Sequence, residues 1–200
     1  MDPHLKNELM QQLIAEISIC KKCGLWKNRK NPVPGEGDLN APIVFIGEAP
    51  GRWEDMESKP FVGSAGELLN RILRKAGLSR GSIYITNLVK CRPPGNRDPH
   101  ISEIESCSPY LDQQLDIIKP KIILTLGRHS TSYMFSKVGL TFRSISEAQG
   151  KIYEAKLGGS KIYLIASYHP AAALYNMQLE GEIEKSIKLA KDLMNKVEER

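Results

Sequence analysis

Residues 47–69, GEAPGRWEDMESKPFVGSAGELL, follow the apolar run PIVFI. A strand that enters a Gly-rich turn and then a helix is the usual layout of a phosphate cradle. Here no Lys stands where a P-loop needs one, and an acid, Glu48, sits at the head of the strand. The ligand must therefore accept a carboxylate beside backbone that Gly47 and Gly51 leave bare, with the aromatic Phe61 farther along. Two more polar stretches, Asn87 at the end of SIYITN and SYHPAAAL with His169, also close apolar runs.

Cysteines give the second chemical signal. Cys20 and Cys23 form C-x2-C after the first helical pattern, and Cys91 and Cys107 follow as C-x15-C. Four thiols in a chain read as cytosolic suggest a metal site more than disulfides. A four-cysteine zinc site and a [4Fe–4S] cluster both accept thiolates. The wide second spacing leans towards the cluster, since zinc ribbons pair two C-x2-C knuckles. Cys107 also falls on an apolar stripe, so an ordinary core residue is its alternative reading. Around Cys91, TNLVKCRPPGNRDP gathers Lys90, Arg92 and Arg97 with paired prolines. It is a rigid basic loop, either merely solvated or set against phosphates.

These residues need a frame. The runs 42–47, 82–87, 121–127 and 161–167 are short, β-rich and almost continuously apolar, as buried parallel strands are. Helical patterns separate them: residues 5–19 with Leu9, Leu13 and Ile17 on one face, 64–77 with Ser64 as N-cap and Gly77 as stop, and 101–118 with Ile104, Cys107, Leu111, Leu115 and Ile118. A last helix carries Ile183, Ile187, Ala190, Met194 and Val197. Strand and helix in alternation predict an open α/β sheet covered on both faces. Ligands of such sheets bind at the carboxyl ends of the strands, where Glu48, Asn87 and His169 would meet.

The 200-residue chain suits one domain, 1–200, with a substantial core. Its net charge of +5 permits nucleic-acid binding without requiring it. No apolar stretch is long enough to span a bilayer, and the polar start MDPHLKNELMQQL lacks a signal-peptide core. The expectation is a cytoplasmic protein.

Taken together, GEAPG…ED…KPFVGSAG, TNLVKCRPP, YHPAAAL and the four cysteines resemble the family 4 uracil-DNA glycosylases, the iron–sulfur branch of their superfamily. The resemblance runs from Cys20 to about Leu174. It departs at Ala171, where the family more often has Ser, which removes a hydroxyl from any phosphate contact there.

The resemblance implies a three-layer α/β fold with a central, mostly parallel four-stranded sheet. It implies a DNA-repair hydrolase that flips uracil out of DNA and cuts the N-glycosidic bond, with a structural [4Fe–4S] cluster on Cys20, Cys23, Cys91 and Cys107. Phe61 would stack on the extruded base. Asn87 would accept from uracil N3–H and donate to O4, rejecting cytosine. His169 would donate to O2 as charge grows on the base. Glu48 would orient or deprotonate the attacking water. Better-known relatives carry an Asp where this chain has Ala49, so the acid is displaced by one residue. Glu54 would lie against uracil C5, where thymine's methyl clashes, and Gly47 and Ala49 would approach the base through backbone. Lys90, Arg92 and Arg97 would meet phosphates, and Leu174 or Tyr175 would fill the gap left by the base. Water rather than a lysine amine is the expected nucleophile, Lys59 lacking any partner to lower its pKa.

The substrate would be uracil-containing DNA, single- or double-stranded, bound by a monomer, with a sliding clamp as a partner left open. Two other classes remain open at this point: a nucleotide-binding enzyme with a zinc site, and a non-catalytic iron–sulfur DNA-binding module.

Overall fold

A computed structural model describes residues 2–198 of the chain. Its centre is a six-stranded sheet in the order β1-β3-β2-β4-β6-β5. The four apolar runs become β2 (Ile43–Gly47), β3 (Tyr84–Asn87), β4 (Ile122–Leu126) and β6 (Ser160–Ser167), and these four are parallel. Two antiparallel edge strands extend the expected sheet: β1 (Glu36–Gly37) on β3 and β5 (Ile152–Leu157) on β6. Neither resembles a buried strand in sequence. β1 is two residues long, and β5 alternates exposed with half-buried positions along its length.

Side chains alternate across a strand, so each parallel strand feeds two cores. Val44, Ile46, Tyr84, Ile123 and Leu164 meet one set of helices: α1 (Pro3–Ile19), α4 (Ile101–Ile118) and α5 (Arg128–Lys137), with the short α6 (Ile145–Ala148). Ile43, Phe45, Ile85, Leu124 and Ile165 meet the other set, α3 (Ser64–Lys75) and α8 (Gln178–Glu198). The result is three layers. None of the described helices is long and apolar enough to cross a membrane.

Helix limits follow local chemistry. The Asp2 carboxylate accepts from His4 N at 2.7 Å and starts α1, whose buried stripe is Lys6, Met10, Leu13 and Ile17, with Leu9 only partly covered. Gly63, not Ser64, caps α3, and Gly77 ends it at φ +70°. α4 opens with Glu103 accepting from His100 N at 2.8 Å.

The chain leaves β2 for β3 on one side, then crosses back over β2 to β4. That reversal opens a crevice at the carboxyl ends of β2 and β4. Two short helices line it, α2 (Arg52–Glu57) after β2 and α7 (Pro170–Ala173) after β6.

Candidate active site

Register sets the rim of the crevice. Gly47 at the end of β2 lies opposite Asn87 at the end of β3, and Leu126 of β4 lies opposite Ser167 of β6. Above them is a cavity of about 590 Å³ whose lining includes Glu48, Ala49, Glu54, Phe61, Asn87 and His169. Residues far apart in sequence thus converge as strand-end placement requires.

Asn87 is 2% exposed. Among the described residues its Oδ1 is the one buried side-chain oxygen or nitrogen without a hydrogen-bond partner. An orphaned buried acceptor costs about 1–3 kcal/mol, so the position is matched to something that donates. Gly47 is needed beside it. A Cβ there would overlap Asn87 Oδ1 and come within 2.7 Å of Phe61 Cζ.

Phe61 forms the wall next to that amide, 5% exposed. Its backbone is left-handed, φ +53°, a conformation uncommon for a bulky residue and costing about 1–3 kcal/mol. Two clamps hold it. Arg80 donates from Nη1 to the Phe61 carbonyl at 3.2 Å and from Nη2 to the Pro60 carbonyl at 2.6 Å. Glu54 Oε1 accepts from Val62 N and Gly63 N, both at 3.0 Å. Arg80 is itself held by Glu36 of β1, with Nε 2.9 Å from Oε1. The short edge strand therefore steadies the aromatic wall.

His169 caps α7, and its Nδ1 accepts from Ala171 N at 3.1 Å. That bond leaves the proton of a neutral imidazole on Nε2. Burial pushes the His169 pKa down to about 4, with the Glu54 carboxylate opposing in part. Near neutral pH the ring is an uncharged Nε2–H donor. Its ring lies 5.5 Å from that of Phe61, centroid to centroid, at 27°. Close packing against Gly127 fixes its base: a Cβ at Gly127 would sit 3.2 Å from His169 Cβ, at a φ of +99° that few other residues adopt.

Glu48 sits at the mouth, its side chain 24% exposed. Burial raises its pKa above the ordinary carboxylate value, Asp98 adds to that, and His129 and Arg128 oppose it. His129 Nε2 is 3.9 Å from Glu48 Oε2 and 3.6 Å from Asp98 Oδ2, and Arg128 pairs with Asp98.

The four cysteines line one small hollow with Ile17, Arg29, Lys90 and Tyr110. Cys20 and Cys23 follow α1, Cys91 lies after β3 and Cys107 within α4. Each of three sulfurs has a nitrogen donor: Arg29 Nη1 on Cys91 at 3.0 Å, Lys90 N on Cys107 at 3.2 Å and Lys22 N on Cys20 at 3.5 Å. Burial pushes the free Cys107 thiol up to about 12, so it ionises only against a strong cation. Cys107 is buried on the stripe of α4 and also lines the hollow with the other three cysteines.

The basic loop differs from expectation. Lys90 does not reach solvent; it is 1% exposed and its ammonium is bonded inside the protein. It cannot meet phosphates. The Pro and Arg neighbours mark a surface loop, yet the side chain turns inward under β3. Arg97 borders the cavity but is bidentate to Glu103, at 2.7 and 2.9 Å. Among the described residues Arg92 meets the neutral Asn96, at 2.7 Å. Leu174 and Tyr175 stand out at 49% and 93% exposed beside the cavity's α7 edge.

Sequence reasoning missed Arg80, His129 and Asp98. His129 was within its reach, because TLGRH closes β4 just as Glu48, Asn87 and His169 follow the other parallel strands. Arg80 carries no such signal; its role depends on contacts with residues brought near only by folding.

Residues 34–194 match the model of the Uracil DNA glycosylase superfamily. Cys20 and Cys23 precede that span. Among curated proteins the chain is 54% identical to the Type-4 uracil-DNA glycosylase of Saccharolobus solfataricus, over 90% of this chain and 84% of that one. It is 53% identical to that of Sulfurisphaera tokodaii over 92% and 84% of the two chains, and 48% identical to that of Archaeoglobus fulgidus over 94% and 95%. The chain belongs to the uracil-DNA glycosylase superfamily, in its type-4 branch.

Proposed function

We propose that the protein hydrolyses the N-glycosidic bond of deoxyuridine in DNA, releasing uracil and leaving an abasic site with the backbone uncut. The observation that carries this reading is the orphaned Asn87 Oδ1 beside Gly47 and Phe61. Uracil N3–H supplies the missing donor, and the other end of the carboxamide donates to O4. Cytosine has an acceptor at N3, so it leaves Oδ1 unpaired and faces the amide's N–H with its own amino group.

The base enters the cavity only when flipped from the stack. Phe61 and His169 are too close to sandwich it, since two stacked layers need about 7 Å, twice a carbon contact. The base therefore stacks on Phe61 alone, and His169 addresses its O2 through the Nε2–H edge. As the N1–C1′ bond breaks, its electron pair moves onto the base. A neutral donor at O2 stabilises that anion without having charge to neutralise beforehand. Water adds to C1′, and Glu48 takes up or orients its proton. The raised Glu48 pKa brings the carboxylate nearer the pH at which a base is effective. Glu54 serves the platform by holding the turn after Phe61, and its place on the cavity wall fits a screen against a C5 methyl. Among the described residues no lysine lines the cavity, which supports water over an amine as nucleophile.

Cys20, Cys23, Cys91 and Cys107 would hold a [4Fe–4S] cluster. The four sulfurs line one small hollow, and an all-thiolate donor set suits such a cluster. The cluster's contribution is to join the end of α1, the loop after β3 and α4. Leu174 borders the cavity and Arg92 and Tyr175 lie beyond its lining, where DNA would contact the protein, and the protein would work beside DNA in the cytoplasm.

The test is release of uracil from a uracil-containing oligonucleotide, single- and double-stranded. The expected result is free uracil with an alkali-labile, uncut backbone. No release from either substrate, or a borohydride-trapped covalent adduct, overturns the reading.

A further inference from the structure

Behind the pocket lies a fully buried cation with no part in the chemistry above. The Lys90 ammonium has three donors and three acceptors: Thr86 Oγ1 at 2.7 Å, the Asn87 carbonyl at 2.7 Å and Gln114 Oε1 at 2.6 Å. The network continues outward. Thr86 Oγ1 donates to the Pro34 carbonyl at 2.7 Å, and Gln114 Nε2 donates to the same carbonyl at 2.8 Å. The main chain of Lys90 is equally committed, its N–H to Cys107 Sγ at 3.2 Å and its carbonyl to Val33 N at 2.8 Å.

Such a network has two positions open to it, complete or broken, because each unpaired member in a dry interior is costly. It grips β3 at its last two residues, Thr86 and Asn87, on the side away from the cavity. It ties them to α4 through Gln114 and Cys107. Asn87 has no side-chain partner of its own at Oδ1. Its aim therefore depends on the peptide from which it hangs, and that peptide's carbonyl is one of the three acceptors.

We infer that Lys90 is a positioning residue for base recognition, whose ammonium bridge between the Asn87 carbonyl and Gln114 holds the Asn87 carboxamide in register with the flipped base. This rests on the reading of Asn87 as the group that recognises uracil. A misplacement of about 1 Å in such a group costs up to about 10²-fold in rate.

The experiment is a double-mutant cycle on the iron-loaded protein: wild type, Lys90→Met, Asn87→Ala and the double variant. Each is measured for kcat and KM on a uracil oligonucleotide, affinity for abasic DNA, iron content and thermal melting. Lys90→Met should lower kcat by about 10²-fold while KM and abasic-DNA affinity stay within about twofold. In the Asn87→Ala background the same change should cost less than about threefold, because the group it aims is gone. An equal factor in both backgrounds, with Asn87→Ala itself impaired, overturns the inference alone. Full uracil release by Asn87→Ala overturns the recognition reading, and the inference with it. Should Lys90→Met fail to fold, Thr86→Val removes one acceptor at nearly constant shape. It should show the same non-additive pattern with a smaller loss, about threefold to tenfold, and an additive loss there overturns the inference equally.

Discussion

The pocket rim and the cysteine corner lie on either side of the same short segment, and they treat polar groups in opposite ways. At the rim an acceptor is orphaned on Asn87, an imidazole is held uncharged at His169 and an aromatic backbone is bent into a left-handed turn at Phe61. At the corner, sulfurs receive N–H donors from Arg29, Lys90 and Lys22, and the Lys90 ammonium has every donor matched. Asn87 and Lys90 stand in one turn of chain, both buried, one unsatisfied and one saturated. Strain and orphaned groups persist only where the surroundings over-determine them. The saturated side supplies that rigidity, and the unsatisfied side spends it on a ligand.

The comparison is broken most severely by changing what the orphan wants. Asn87→Asp can accept from the cytosine amino group. A uracil-over-cytosine preference of the order of 10⁴–10⁵ should fall to near parity, measured as base release from matched oligonucleotides. A retained preference would mean that the amide does not read the base. His169→Ala is next. It should lower kcat by about 10²–10³, with abasic-DNA affinity nearly intact, because the donor acts on charge present only as the bond breaks. A variant that loses DNA affinity in step with kcat would make His169 a binding residue instead.

A smaller effect comes from the clamps. Arg80→Ala frees the Phe61 carbonyl and unties Glu36. Uracil kcat/KM should drop about tenfold, since the platform loses a support without losing the ring. Unchanged kinetics would show that Glu54 suffices to hold the turn.

The pH profile separates the two titrating groups of the rim. In its proposed role Glu48 acts as carboxylate, and its folded pKa lies above the ordinary value. As pH falls through that raised pKa the carboxylate is protonated and kcat/KM declines. His169 gains its charge only at about 4, and substitution of Glu48 tells the two groups apart. Glu48→Gln should give a lower rate with the limb removed. Asp98→Asn should move the limb to lower pH, because Asp98 is one of the groups that raises it. A limb that survives Glu48→Gln unchanged assigns it to another group.

Much of this contrast could be read in the sequence, and the rest could not for definable reasons. The four parallel strands announced themselves through unbroken apolar runs, and strand-end placement then found Glu48, Asn87 and His169. β5 stayed hidden because it keeps one side open to water and its residues alternate with charge. Lys90 misled because its neighbours Cys91, Arg92, Pro93 and Pro94 advertise a surface loop, while the direction of one side chain depends on Thr86 and Gln114. Phe61 was legible from its flanking Pro60 and Gly63 and from the family resemblance, and it lines the cavity. Its support by Arg80 and Glu36 was not, since Arg80 reaches the Phe61 carbonyl, and Glu36 reaches Arg80, only once folding brings them together.

The smallest expected effect concerns the outer face of the corner, where Arg92 and Arg97 look equivalent in sequence. Folding makes them different. Arg97 is bidentate to Glu103, a pair with no net charge, whereas Arg92 keeps its charge beside the neutral Asn96. Counterion release follows the charge a protein delivers to phosphates, about 0.9 units of slope in log affinity against log salt for each one neutralised. Arg92→Ala should therefore reduce the salt slope by about one unit. Arg97→Ala should reduce it by less, because little of its cation was on offer to phosphate. Glu103→Gln tests the same point in reverse, releasing Arg97 and steepening the slope. The measurement is binding of a uracil-free duplex across a salt series, so that base recognition does not contribute. A slope that falls as far for Arg97→Ala as for Arg92→Ala would mean that DNA pulls Arg97 off Glu103, and that the outer face of the corner is rearranged on binding although the pocket rim is held rigid.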